Sequence, residues 1–166
     1  MTYKEKILAA KKQDIVIPDI LASGKAIVGV YGFFAIKGEI EECFYIGKAT
    51  DMAGRILGSN NGHVHMYLHN DVTKFVPQKI AEYLATKQGW RIEVRILEEV
   101  DYQDTSFSRA AHRLALAELQ KIAEYQKKGQ CLDQYPEGTH SGAKKYWENY
   151  YRKNGGSVQP DPQCVT

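Results

Sequence analysis

The feature that most constrains the fold is a pair of apolar runs split by a short polar connection. Residues 27–36, IVGVYGFFAI, and 43–47, CFYIG, are rich in β-branched and aromatic side chains, and the link KGEIEE between them contains Gly38. Strand-forming residue types on either side of a short, glycine-bearing polar link make a β-hairpin. A third run, RIEVRILEEV at 91–100, alternates like a strand. The spacing also predicts helices: DMAGRIL at 51–57, with Thr50 and Asp51 as capping residues; a segment from Pro77 to the stop at Gly89; and a long helix over 105–128, capped by Asp104, Thr105 and Ser106 and ended by Gly129. A basic helix precedes the hairpin, and another covers roughly 140–153. In GHVHMYLHN, Val64, Met66 and Leu68 alternate with polar residues, which reads as a short strand or extended segment. The tail GGSVQPDPQCVT reads as loose. The expected fold is α+β: a small three-stranded antiparallel sheet, hairpin plus later strand, flanked by helices.

With 166 residues the chain is long enough to bury a single core without metal or disulfide. Cys43, Cys131 and Cys164 are odd in number and form no C-x-x-C pair, which argues against a disulfide framework or zinc ribbon and for a reducing, cytoplasmic setting. No apolar run approaches the length of a membrane span, so no membrane partner is expected. The net charge of +2 conceals a division along the chain. Residues 1–13 and 139–153 each set four cations against one acid, a net +3 apiece, leaving −4 for the remainder. Basic ends on an acidic body suit a polyanion, and equally suit two solvated helices.

Within the long helix, at about 100° per residue, Phe107, Ala111, Leu114, Glu118, Ile122 and Tyr125 share a stripe about 80° wide, with Glu118 near its centre. A carboxylate there must be paired with a base from the sheet or bound to a metal. Glu124 points away and is read as solvated. On the hairpin, Tyr31 and Tyr45 can be brought together across the strands, while Gly47 and Lys48 lead into a helix bearing Arg55. Arg55 is permanently charged and can grip two phosphoryl oxygens. Glu118 can hold a divalent cation that keeps most of its waters. A phenol that takes a proton from water needs its pKa lowered, which Lys48, Arg55 and such a cation would do.

His63, His65 and His69 form another cluster. They are open to three readings: a zinc site, a histidine near a scissile phosphate acting as donor or alternative base, or plain surface or DNA-backbone histidines. In the C-terminal segment GAKKYWENYYRKN, Lys144, Lys145, Arg152 and Lys153 interleave with Tyr146, Trp147, Tyr150 and Tyr151. Such rings either stack on nucleic acid or pack the helix onto the core.

The order G-V-Y at 29–31, F-Y-I-G-K at 44–48, Arg55 ten residues after the second tyrosine and a lone Glu on a later helix resembles the GIY-YIG nuclease superfamily, with valine in place of the usual isoleucine in the first motif. The resemblance implies that Tyr31 is the general base and Tyr45 orients water or phosphate. Lys48, Arg55 and Glu118 complete the catalytic set, and Glu118 is the ligand of Mg²⁺ or Mn²⁺. Gln130 and Asp133 are candidates for the family's polar residue after the helix. The expected protein is a metal-dependent endonuclease of double-stranded DNA, leaning towards a type II restriction enzyme that works as a homodimer. It would be one domain over 1–166 with its core at about 27–128, and with the basic N-terminal helix 1–26 and C-terminal helix 139–153 as DNA-binding additions. DNA contacts are expected at His63, Lys144, Lys145, Arg152 and Lys153. The rival readings are a non-catalytic DNA-binding module of the same fold and a zinc protein built on His63, His65 and His69.

Overall fold

Strands β2 (Gly29–Lys37) and β3 (Ile40–Ala49) form the expected hairpin. The strands run further than the apolar runs alone indicate, so only Gly38 and Glu39 make the turn. Gly38 takes φ of 58°, which a glycine adopts without steric cost at the first turn position. The structure is a computed structural model and describes residues 1–135 and 142–155. Cys164, the tail from 156 onward and the first residues of the expected C-terminal helix lie outside the described residues.

A further strand, β4 (Arg91–Glu99), pairs antiparallel with the free side of β2, as its alternation predicts. The sheet, however, has four strands rather than three and is mixed. A two-residue strand, β1 (Ile15–Val16), adds to β4 in parallel, giving the order β1-β4-β2-β3. Two residues are too few to display a period, which is why the sequence pattern misses β1. The N-terminal segment is therefore part of the core and not an addition to it: Ile7 and Ala10 of helix α1 (Tyr3–Lys12), together with Ile15, Ile17 and Leu21, are buried. Helix α1 is closed by a capping box between Thr2 and Glu5. Its Lys6 is 5% exposed and donates to the Leu57 carbonyl at 2.6 Å, so this cation holds two helices together and is unavailable to a polyanion.

Helix α2 (Met52–Leu57) follows β3, with Asp51 as its N-cap accepting from Gly54 N. Residues 63–68 form helix α3 (His63–Leu68), not the strand or extended segment that alternation suggests. Val64 and Met66 are both buried although they lie two residues apart, because the short helix is enclosed on more than one side. Helix α4 (Phe75–Ala85) starts two residues before Pro77, which sits within the first turn where no backbone donor is needed, and it stops short of Gly89. Helix α5 (Phe107–Lys127) is capped by Ser106, and helix α6 (Ala143–Lys153) follows.

The sheet has two covered faces. Tyr31, Phe33, Ala35, Ile92 and Val94 pack with residues of the first four helices, and Val30, Phe34, Ile36, Cys43 and Ile46 pack with Ala117 and Ile122 of α5. A bulge shifts the register so that Phe33 faces Tyr45 while Phe34 faces Cys43. The extra residue puts Phe44 and Tyr45 together on the Tyr31 side. The outer edge of β3 is closed by side-chain amides. Gln130 accepts from Cys43 N at 2.9 Å and donates to Glu41 O at 3.1 Å, and Gln134 accepts from Ile46 N at 2.9 Å and donates to Ile46 O. Edge groups left open would template pairing with another chain.

Candidate active site

Tyr31 is fully buried, and its hydroxyl lies 2.9 Å from Nε2 of His63. Glycine at 47 permits this: a Cβ there would sit 2.6 Å from the Tyr31 hydroxyl and 2.9 Å from the Tyr45 ring. Gly29 answers a second close approach, since its Cβ would meet the Glu98 carbonyl at 2.0 Å. Regular pairing brings Tyr45, two residues before Gly47 and opposite Phe33, to the same face, with its ring centroid 6.2 Å from that of Tyr31 and 5.3 Å from His63. Arg55, exposed on α2, lies against the hydroxyls of both tyrosines.

Burial decides the charge states here. It pushes the Tyr31 phenol well above its ordinary range; Tyr45 adds to the rise, and Arg55 opposes it without prevailing. Arg55 thus acts in the expected direction, but burial, which the sequence-based expectation leaves out, prevails over it. Burial, helped by the Arg55 charge, pushes His63 down to about 3. Burial also opposes the charge on Arg55, but the two phenols outweigh it and raise its pKa. The site thus holds a neutral phenol, a neutral imidazole and one exposed guanidinium.

Glu118 is buried at 3% exposure, as its place in the stripe predicts, and Lys48 Nζ lies 3.8 Å from its carboxylate. Lys48 stands opposite Val30 in the ladder, and Val30 packs with Ala117 and Ile122, so Lys48 faces α5. The expected residues therefore fall into two groups on opposite faces of the hairpin: Tyr31, Tyr45, Arg55 and His63 on one, Lys48 and Glu118 on the other. Glu124 is exposed and 3.2 Å from Lys121, as expected of a solvated residue. Phe107 does not belong to the buried stripe, being 76% exposed at the first helical position. The donor set fits a hard cation of the magnesium type, which is held through one carboxylate and keeps its waters. Of the histidines, His63 is engaged with Tyr31, the rings of His65 and His69 lie 4.1 Å apart and inclined by 34°, and no three His, Cys, Asp or Glu side chains converge among the described residues.

On α6, Lys145, Arg152 and Lys153 are exposed and Lys144 is half-buried. No residue of that helix is buried, so its rings do not pack into the core; Trp147 and Tyr151 stack on each other at 5.4 Å. Among residues that the sequence pattern misses, Gln134 is the most consequential: its amide holds the backbone of Ile46 between Tyr45 and Gly47. Gln126 in turn donates to the carbonyls of Cys131 and Gln134, each at 2.9 Å, and so shapes the loop that presents it. A glutamine in a loop carries no pattern that marks it. No helix among the described residues is long and apolar enough to cross a membrane. Comparison with protein families, with curated proteins and with solved structures finds no match.

Proposed function

We propose that this protein is a metal-dependent endonuclease that hydrolyses DNA phosphodiester bonds, of the compact restriction-enzyme kind. The observation that carries the reading is the Tyr31–His63 contact at 2.9 Å lying directly behind the exposed Arg55. A buried neutral phenol joined to a neutral imidazole can pass a proton, and a guanidinium beside them holds the anion on which the proton is needed.

Arg55 grips two oxygens of the phosphate and stabilises the charge that develops there. As water attacks phosphorus, its proton moves to the Tyr31 oxygen while the Tyr31 proton moves to Nε2 of His63. His63 resists protonation in the free protein partly because of Arg55. A bound phosphodiester offsets that charge and raises the imidazole's proton affinity when it is needed. Tyr45 orients the phosphate or the water. Glu118, on the α5 side of the hairpin, would hold Mg²⁺ or Mn²⁺, which when bound would supply Lewis-acid stabilisation of developing negative charge, and Lys48 balances the Glu118 carboxylate. The exposed cations of α6 contact backbone phosphates of the duplex. Supercoiled plasmid incubated with the protein tests the reading: nicked or linear product should appear with Mg²⁺ and not with EDTA. Plasmid left intact under both conditions would overturn it.

A further inference from the structure

A cavity of about 470 Å³ opens beside Tyr45, walled by Tyr45, Phe75, Lys79, Glu82, Asp133 and Gln134 among others. Three observations bear on what it takes. Phe75 is 46% exposed, with its ring 6.2 Å from that of Tyr45 and inclined by 45°, so the two rings touch and the exposed Phe75 ring offers a flat group a face to stack on. The charged lining is two carboxylates against one ammonium, and that ammonium is already 3.2 Å from Glu82, so the wall disfavours a phosphate. One oxygen of Asp133, shut away from solvent, has no hydrogen-bond partner. Turning the carboxylate about its last torsion only exchanges its two oxygens, so one oxygen at a time can face the cavity and accept from a donor there.

We infer that this cavity receives the unstacked nucleobase next to the scissile phosphate, with the phosphate on Arg55, the base stacked against the Tyr45–Phe75 ring pair, and its N–H edge on Asp133. The inference rests on the nuclease reading and narrows its substrate class. A base stacked and paired within a duplex cannot enter, so the nucleotide beside the cut is turned out of the helix. Among the bases, guanine offers two adjacent N–H donors to one carboxylate, and hypoxanthine lacks one of them. Tyr45 thus serves both the phosphate side and the base side, which ties base identity to cleavage.

The test titrates the full chain in EDTA with dGMP, dIMP, dTMP and inorganic phosphate, following binding by calorimetry, and scores metal-dependent plasmid nicking separately. The wild type should bind dGMP more tightly than dIMP or dTMP, and each nucleotide more tightly than phosphate. Phe75→Ala should weaken all three nucleotides by roughly tenfold, the value of one stacked base, and leave phosphate binding unchanged. Asp133→Asn should erase the preference for dGMP over dIMP, and this change in a loop keeps the inference testable if Phe75→Ala folds poorly. Nucleotides bound no better than phosphate, or a dGMP preference intact in Asp133→Asn together with unchanged nucleotide affinity in Phe75→Ala, would overturn the base site even with nicking observed. A dGMP preference lost in Asp133→Asn and nucleotides weakened in Phe75→Ala, in a protein that nicks nothing, would support the base site while the nuclease reading falls.

Discussion

The two faces of the hairpin hold their polar residues by opposite means. Behind Tyr31, burial keeps a phenol and an imidazole neutral and joins them by one hydrogen bond. Towards α5, Glu118 is just as buried but has the Lys48 ammonium 3.8 Å away, and that lysine side chain is 25% exposed. Packing alone can fix a neutral pair, whereas a buried carboxylate needs a counter-charge. The sheet therefore separates a part suited to moving protons from a part suited to holding a cation, with residues 45–48 of one strand serving both.

The largest expected effect on this contrast comes from Tyr31→Phe. The change removes the proton path and leaves the ring in place, so plasmid cleavage should fall by roughly 10²–10⁴. Stability should drop by only about 1–3 kcal/mol for the stranded His63 nitrogen, which a melting curve checks. Cleavage at the wild-type rate would remove the proton-handling role from this face. Next is Arg55→Lys, which keeps the charge and loses the planar fork; the single-turnover rate should fall by about a hundredfold, as expected when one transition-state hydrogen bond of ~3 kcal/mol is removed. Because Arg55 is exposed, the melting temperature should hardly change, and an undiminished rate would place the phosphate elsewhere.

A third effect lies in stability against pH. His63 titrates at about 3 in the folded protein and near 6.5 when unfolded, so between those values the unfolded chain binds more protons. Its stabilising contribution is complete above about 6.5 and is lost as pH falls towards 3, amounting to a few kcal/mol. Tyr31 acts in the other direction: its raised pKa contributes stability below about 10 that is lost above it. His63→Gln should flatten the acid limb in melting temperature against pH, and an acid limb unchanged by it would show that other groups carry the acid sensitivity. The smallest effect belongs to neither face. Replacing Lys144, Lys145, Arg152 and Lys153 by Gln should weaken DNA of any sequence about equally and make the salt dependence shallower by about 0.9 in logarithmic slope for each phosphate that the variant no longer neutralises. The same slope in the variant would leave those cations merely solvated.

The legible parts are those whose signal is local and repeated. The hairpin shows in its composition, β4 in its alternation, and the burial of Glu118 in helical angle over five turns. His63 is harder to place from sequence, because six residues of α3 fit a strand period as well as a helical one and because its partner lies 32 residues back. Phe44 joins Tyr45 on the Tyr31 side only through the bulge; strict alternation would put these two neighbours on opposite faces. The glutamine clasp on β3 depends on a loop after α5 returning to an edge some 88 residues earlier, and no local pattern encodes that. The phenol's raised pKa escapes the sequence for the same reason: cations can be counted along a chain, but burial depends on packing from distant segments.

The most direct test of the account compares Glu118→Gln with the wild type on supercoiled plasmid in Mg²⁺, with DNA binding measured on the same preparations. The amide keeps the shape of the side chain and loses the charge that would hold the proposed cation. The account predicts nicking by the wild type alone and DNA affinity retained by both. Equal nicking by Glu118→Gln would contradict it.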